Sequence, residues 1–439
     1  MKQRWEVTPA SRVSGELRVP GDKSISHRSL MLGGVAQGIT EVQGFLASAD
    51  CLATLDALRA MGIRIERPGE TQVRIHGAGL HGLQPPQAPL DMGNAGTAIR
   101  LFMGLLSGQS FASTLTGDES LRRRPMERVA NPLRLMGAQI DTQDGTPPVR
   151  ITQARDLQGI DYVLPMASAQ VKSAILLAGL YAKGATRVTE PAPTRDHTER
   201  MLAGFGLLVQ RDGARVTLAA TGARTLRGTS LQVPGDISSA AFFLVAGCLA
   251  ASPRLTLRGV GLNPTRTGII SILQLMGARL RIVPVADAGP EPIADIEIEA
   301  SPLRGIDIPE ELVPLAIDEL PVVFIAAACA EGVTRVTGAG ELRVKESDRL
   351  AVMAEGLAAL HIRHELLPDG IAIEGIGSKG RLPGGRIDSH GDHRIAMSFA
   401  VASLRADAPI HIEDVANVAT SFPGFDAAAR AVGLSLVAR

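Results

Sequence analysis

"LRAMGIRI", residues 58–65, ends an apolar helical run on a glycine and passes at once into a short strand, and the chain repeats this figure along its length. It returns as "LRLMGAQI" at 133–140, "LAGFGLLV" at 202–209 and "LQLMGARL" at 273–280, then more loosely as "LAALHIRH" at 357–364 and "AARAVGLSL" at 428–436. Gly62, Gly137, Gly206, Gly277, His361 and Gly433 hold the equivalent place, 69 to 84 residues apart. So regular a period is the signature of one supersecondary unit used six times. Each unit also holds a loop of small or polar residues entering an Ala/Leu-rich helix, beginning at Pro20, Gly93, Pro165, Pro234, Pro309 and Ser389. Runs such as "ATRVTE" and "GVTRVTG" between them read as strands. Two helices and several strands per unit, with three units to a domain of about 210 residues, predict an α/β (α+β) protein of two similar domains.

Composition agrees with that division and narrows the partners. A chain of 439 residues exceeds what one core usually serves. Lys plus Arg and Asp plus Glu both number 45, so there is no overall pull toward DNA or an anionic membrane, and 3% aromatic residues leave few platforms for stacked bases. Anion binding must therefore be local. Cys51, Cys248 and Cys329 are odd in number and lack metal-ligand spacing, which reads as buried free thiols in a reducing cytosol. "MKQRWEVTPASRVSG" has no signal-peptide core and no run reaches the ~18 apolar residues of a membrane span, so a cytoplasmic location is expected.

Polar groups gather at the helix starts. "VPGDKSISHRSL", 19–30, sets Lys23, Ser24, His27 and Arg28 after a Pro-Gly turn, either as a solvated turn capped by Ser or as an anion site on a helix N-terminus. "GNAGTAIR", 93–100, has glycines that let backbone approach a ligand, although plain turn chemistry needs the same residues. In "GDESLRRRPMERV", 117–129, Arg124 precedes a proline, and that extended conformation could present its planar fork to a carboxylate. "ASAQVKSA", 167–174, supplies Ser168, Gln170 and Lys172, and "TRDHTE", 194–199, adds Arg195. Asp318 in the apolar "LAIDELP" is either a helix cap or a carboxylate with a tuned pKa. "ELRVKESDRL", 341–350, is either a solvated helix start with ion pairs or an acid/base group beside a cation. "HGDHRIAM", 390–397, offers two histidines, but the adjacent Arg394 disfavours a metal. If the helices of a domain run parallel, their positive ends converge on one face, and two such faces opposed across a hinge would make an anion-seeking cleft.

Taken in order, "PGDKSISHR", "GNAGTAIR", "RRRPM", "PMASAQVKSA", "TRDHTE", "IDELP", "LRVKESDRL" and "GDHRIAM" resemble the enolpyruvylshikimate phosphate synthase family of enolpyruvyl transferases, across nearly the whole chain. The resemblance implies two domains, each a threefold βαβαββ repeat with inner helices and outer sheets, an inside-out α/β barrel. They would be 1–20 with 237–439, and 21–236, crossing near 19–22 and 234–238. It implies transfer of the enolpyruvyl group of phosphoenolpyruvate to the 5-hydroxyl of shikimate 3-phosphate, with no cofactor and no metal, in a monomer without nucleic-acid or membrane partners. Lys23, Ser24, Arg28, Ser168, Ala169 (by backbone), Gln170, Arg195, Asp318 and Lys345 would hold shikimate 3-phosphate. Lys23, Asn94, Gly96, Arg124, Gln170, Arg349, His393 and Arg394 would hold phosphoenolpyruvate. Asp318 would be the base on the hydroxyl, Glu346 the acid on the methylene carbon, and Lys23 a stabiliser of phosphate. Glyphosate, which occupies the phosphoenolpyruvate pocket in the family, is expected to inhibit, since Gly96 is kept.

Two departures stand out. Thr420 replaces a Lys that some members carry before the C-terminal Phe-Pro, and Ala169 replaces a Ser. The alternatives are a transferase acting on UDP-N-acetylglucosamine, whose loop cysteine is here Glu119, and a non-catalytic phosphate-ligand protein, which would have lost the acid/base pair.

Overall fold

The computed structural model describes residues 3–153, 156–220, 224–251, 254–285 and 291–439. Its helices are α1 (Lys23–Val35), α2 (Ala49–Ala60), α3 (Gly96–Leu106), α4 (Glu127–Leu135), α5 (Ala169–Gly179), α6 (His197–Gly204), α7 (Ile237–Leu249), α8 (Gly268–Leu275), α9 (Leu320–Ala328), α10 (Arg349–Ala359), α11 (His393–Ala402) and α12 (Phe425–Ala431).

The recurring "Leu-x-x-Met-Gly" figure is the end of the even-numbered helices. Each stops two residues before the marker, and Gly62, Gly137, Gly206, Gly277, His361 and Gly433 all take the left-handed conformation, with φ of 86, 96, 89, 95, 58 and 109°. The next amide then bonds back five residues, as in Ile63 N–H to Leu58 O (3.0 Å), Leu207 N–H to Leu202 O (2.8 Å) and Ile362 N–H to Leu357 O (2.9 Å). This is a Schellman cap, which satisfies the last carbonyls and usually joins its flanking apolar residues. The repeat seen in the sequence is thus a way of stopping a helix and turning into a strand.

The odd-numbered helices are the interior ones. All residues of α7 and α9 are buried, as is α3 apart from Thr97 and α11 apart from Arg394. In α1 and α5 the unburied residues are Lys23, Ser24, Ala169 and Gln170, all in the first turn. Where these helices reach the surface, they do so at their N-termini. The starts of α7 and α9 do not reach it, and in α7 Asp236 and Ser238 are buried against Arg266.

Each repeat contributes one sheet. In the second repeat, Leu90–Asp91 runs parallel to Ser113–Thr116, and Thr146–Thr152 and Gln139–Gln143 follow antiparallel. The fifth repeat has three strands, with parallel bridges from Arg304 and Asp307 in place of the edge strand. Alternation sets the faces, as in Ile293–Glu299, where Ala294, Ile296 and Ile298 are buried between less buried acidic residues. The sheets stay separate, so among the described residues no single sheet closes into a barrel.

By contacts the chain divides into Gly21–Val233 and a second unit made of Met1–Pro20 with Pro234–Arg439. Each has its own hydrophobic core. Gly15–Leu17, just before α1 in the chain, pairs with Leu255–Gly261 of the second unit, while Ser230–Gln232, just before α7, pairs with Gln37–Gln43 of the first. Arg4–Thr8 lies between Ile410–Glu413 and Ser435–Ala438, antiparallel to both. Cys51, Cys248 and Cys329 are buried and unbridged, and burial pushes each thiol up to about 12. Among the described residues no helix is long and apolar enough to cross a membrane.

Candidate active site

Unit 21–233 carries its polar groups on the first turns of α1, α3 and α5 and on the loops facing them. Asp22, rather than a serine, caps α1, its Oδ1 accepting the Ile25 N–H at 2.8 Å. Lys23 then follows at the helix start and pairs with the buried Asp50 of α2. Arg28, one turn further along α1, is almost wholly buried. Its Nε donates to Thr198 Oγ1 (2.7 Å), Nη1 to Ser24 O (2.9 Å) and Nη2 to Ser173 Oγ (2.9 Å), which ties α1 to α5 and α6. Ser168 caps α5 through the Val171 N–H.

Arg124 has the extended backbone expected before Pro125 (φ −81°, ψ 142°) and donates to Asn94 Oδ1 at 2.6 Å. Gly96 lies against it, and a Cβ there would stand 2.8 Å from Arg124 Nη1 and 3.1 Å from Arg100 Nη1. Arg100 was not singled out from the sequence. It is buried in α3, donates to Gln170 Oε1 (2.9 Å) and Pro125 O (3.2 Å), and so holds Gln170 beside the Arg124 loop. The signal for it was available, since it is the only charged residue within the apolar helix that "GNAGTAIR" begins.

Lys172 is set apart from its neighbours at the start of α5, because its side chain is 0% exposed and pairs with Glu190 and Glu199. Arg195 is half-buried in the turn just ahead of α6.

In the other unit the centre is Arg349, the first residue of α10, which is almost completely buried. Three carboxylates surround it. Asp392 Oδ2 accepts from Nε at 2.8 Å, Asp318 Oδ1 from Nη1 at 3.3 Å and Glu346 Oε2 from Nη2 at 2.5 Å. Desolvation lowers the guanidinium pKa and the carboxylates raise it more, so Arg349 ends above the usual arginine value. For Asp392, burial raises the pKa, but the charge and hydrogen bond of Arg349 together with His393 outweigh it, leaving the carboxyl below the usual range. Asp392 also caps α11 through the Arg394 N–H (2.9 Å) and accepts from Ser347 Oγ (3.1 Å). Asp318 is not a helix cap. Its side chain lies 3.6 Å from Lys345 Nζ, and its carbonyl accepts from Arg394 Nη1 at 2.9 Å. His393 is buried at the start of α11. Thr420 turns its hydroxyl onto Asn417 O (2.6 Å) and supplies no cation where the Lys is missing.

Within this unit Asp318, Lys345, Glu346, Arg349 and Arg394 therefore form one cluster. Within unit 21–233, Asn94, Gly96, Arg124 and Gln170 form another, joined through Arg100, while Ser24 and Arg28 meet α5 and α6.

The six-repeat architecture and these furnished helix starts define a class, that of two-unit α/β proteins equipped to hold organic anions and move protons beside them. Residues 7–428 match the model of the family described as EPSP synthase (3-phosphoshikimate 1-carboxyvinyltransferase). A 3-phosphoshikimate 1-carboxyvinyltransferase of Methylococcus capsulatus is 60% identical over 98% of this chain and 97% of its own, and one from Acidithiobacillus ferrooxidans is 60% identical over 99% and 98%. A solved EPSP synthase of Acinetobacter baumannii superposes with a TM-score of 0.89 at 55% identity, covering both chains entirely. The chain belongs to the EPSP synthase family.

Proposed function

We propose that the chain transfers the carboxyvinyl group of phosphoenolpyruvate to the 5-hydroxyl of shikimate 3-phosphate and releases inorganic phosphate. The observation that carries this reading is the buried Arg349 holding Asp318 and Glu346 together. Both substrates are polyanions, and cations are needed to bring them together. Lys23, Arg124, Arg349 and Arg394, with Asn94, the Gly96 backbone, Gln170 and His393, take phosphoenolpyruvate. Ser24, Arg28, Ser168, the Ala169 backbone, Gln170, Arg195 and Lys345 take shikimate 3-phosphate.

The chemistry is addition followed by elimination. Glu346 gives a proton to the methylene carbon, the 5-oxygen bonds to the cationic C2, and Asp318 takes the hydroxyl proton. The tetrahedral ketal then loses phosphate while the new methyl group returns a proton to Glu346, restoring the double bond. Lys23 and Lys345 stabilise the phosphate charge. Arg349 has five N–H donors, most already engaged by carboxylates. A substrate anion reaching it must compete with Asp318 and Glu346, so binding loosens the acid/base pair from its cation as the reaction begins.

Phosphate release from phosphoenolpyruvate, with either shikimate 3-phosphate or UDP-N-acetylglucosamine as acceptor, tests the reading. Release is expected with shikimate 3-phosphate alone. Release with UDP-N-acetylglucosamine, or with neither, would reject it.

A further inference from the structure

Lys172 stands two residues after Gln170, yet its ammonium group is fully buried, ion-paired with two carboxylates and donating to one backbone carbonyl. Glu190 Oε1 is at 3.0 Å, Glu199 Oε1 at 2.7 Å and Thr194 O at 3.5 Å. These three partners span one loop. Glu190 follows the strand Thr186–Thr189, Thr194 lies mid-loop, and Glu199 is in the first turn of α6. Glu190 also accepts from the Thr194 hydroxyl and from Arg211 Nη2 (3.1 Å). The residue this staple presents is Arg195, between Thr194 and the α6 cap Asp196. Next to Lys172 and Glu199 on the two helices, the Thr198 hydroxyl donates to Ser173 Oγ (2.8 Å), and both oxygens accept from Arg28.

We propose that Lys172 is a positioning residue that fixes the 190–196 loop on α5 and thereby sets affinity for shikimate 3-phosphate through Arg195. This rests on the assignment of Arg195 to that substrate. Without the ammonium group, Glu190 and Glu199 are two buried carboxylates left with the half-exposed Arg211, and their repulsion opens the loop. Arg124 and Asn94 are held by one another (2.6 Å) in the separate cluster joined through Arg100, so the phosphoenolpyruvate side is expected to be spared.

A double-mutant cycle of Lys172→Met and Arg195→Ala in the full chain separates this role from general destabilisation. Each single change is expected to raise KM for shikimate 3-phosphate about tenfold and move KM for phosphoenolpyruvate by no more than about twofold, with the double variant within about twofold of Arg195→Ala. Additive losses, an equal loss for both substrates, or an unchanged KM in Lys172→Met would overturn the proposal. If Lys172→Met does not fold, Glu199→Gln, which keeps the Glu190 pair, enters the same cycle with an expected shift of about threefold. An unchanged KM in Arg195→Ala would instead remove the assignment of Arg195, and with it the route by which Lys172 acts.

Discussion

Glu346 has a carboxylate oxygen 2.5 Å from Arg349 Nη2, and this contact separates binding from proton transfer. In Glu346→Gln the side-chain amide oxygen can still accept from Arg349, but the group has no proton to deliver to carbon. Turnover is expected to fall by about 10²–10⁴-fold, the usual contribution of a positioned acid or base, with KM values nearly unchanged. Steady-state kinetics with both substrates check this, and an undiminished kcat would remove Glu346 from the role. His27 bears on stability instead. Its Nδ1 meets Thr54 Oγ1 at 2.7 Å, and burial, then the charges of Lys23 and Arg28, hold its pKa well below the ordinary value of 6.5. The folded chain keeps His27 neutral while the unfolded chain protonates it as pH falls through 6.5, so the unfolded state binds the extra proton and stability rises with pH in that window. Below pH 6.5, His27 alone should remove about 1.4 kcal/mol per pH unit. Denaturant unfolding of His27→Gln should show a shallower loss than the parent between pH 6.5 and 5. Parallel curves would mean that the imidazole is not held neutral.

Among the elements, the Schellman caps made the fold legible from sequence. A cap needs a left-handed residue between two apolar ones, and such a constraint leaves a mark in the residue types themselves. His361 is the exception, at φ 58° with an exposed side chain. His361→Gly should relieve left-handed strain and stabilise its unit by roughly 0.5–1 kcal/mol. Gly206→Ala, where no atom lies within 4 Å of an added Cβ, should cost about as much through backbone conformation alone. Thermal melting of the two variants should shift in opposite directions, and a destabilised His361→Gly would mean that the imidazole supplies something the backbone does not. Depth was harder to read than periodicity. Lys172 and Ser168 look alike as polar residues at a helix start, but Glu190 and Glu199, which draw Lys172 inward, lie 18 and 27 residues away. Arg266 likewise buries the start of α7 from beyond a whole strand. The cluster around Glu346 was easier to read, because its carboxylate stands beside cations in the sequence itself, as "KESDR" does for Glu346 and Arg349.

At the scale of the molecule, the two units close in different ways, and this was invisible to local patterns because the pairing spans more than four hundred residues. Gly21–Val233 is continuous and completes its first sheet with its own Ser230–Gln232. The other unit borrows from the far end of the chain, with Trp5 and Val7 in its core, Trp5 stacked on Phe425 at 5.4 Å, and Val13 and Val19 buried as well. Removing those four side chains from water contributes roughly 6–12 kcal/mol, comparable to the entire stability of a domain, ~5–15 kcal/mol. A fragment of residues 21–233 is therefore expected to fold alone with a cooperative transition, and one of residues 234–439 is not. The termini suggest the repair. Arg4 and Arg439 exchange backbone hydrogen bonds at 3.1 and 2.8 Å, so a short turn from 439 back to residue 4 would make a hairpin of the strands Ser435–Ala438 and Arg4–Thr8. Residues 234–439 joined by such a turn to residues 4–20 should regain a single cooperative denaturant transition. If 234–439 alone unfolds with the same midpoint as the joined form, the N-terminal strand decorates the unit instead of completing its core.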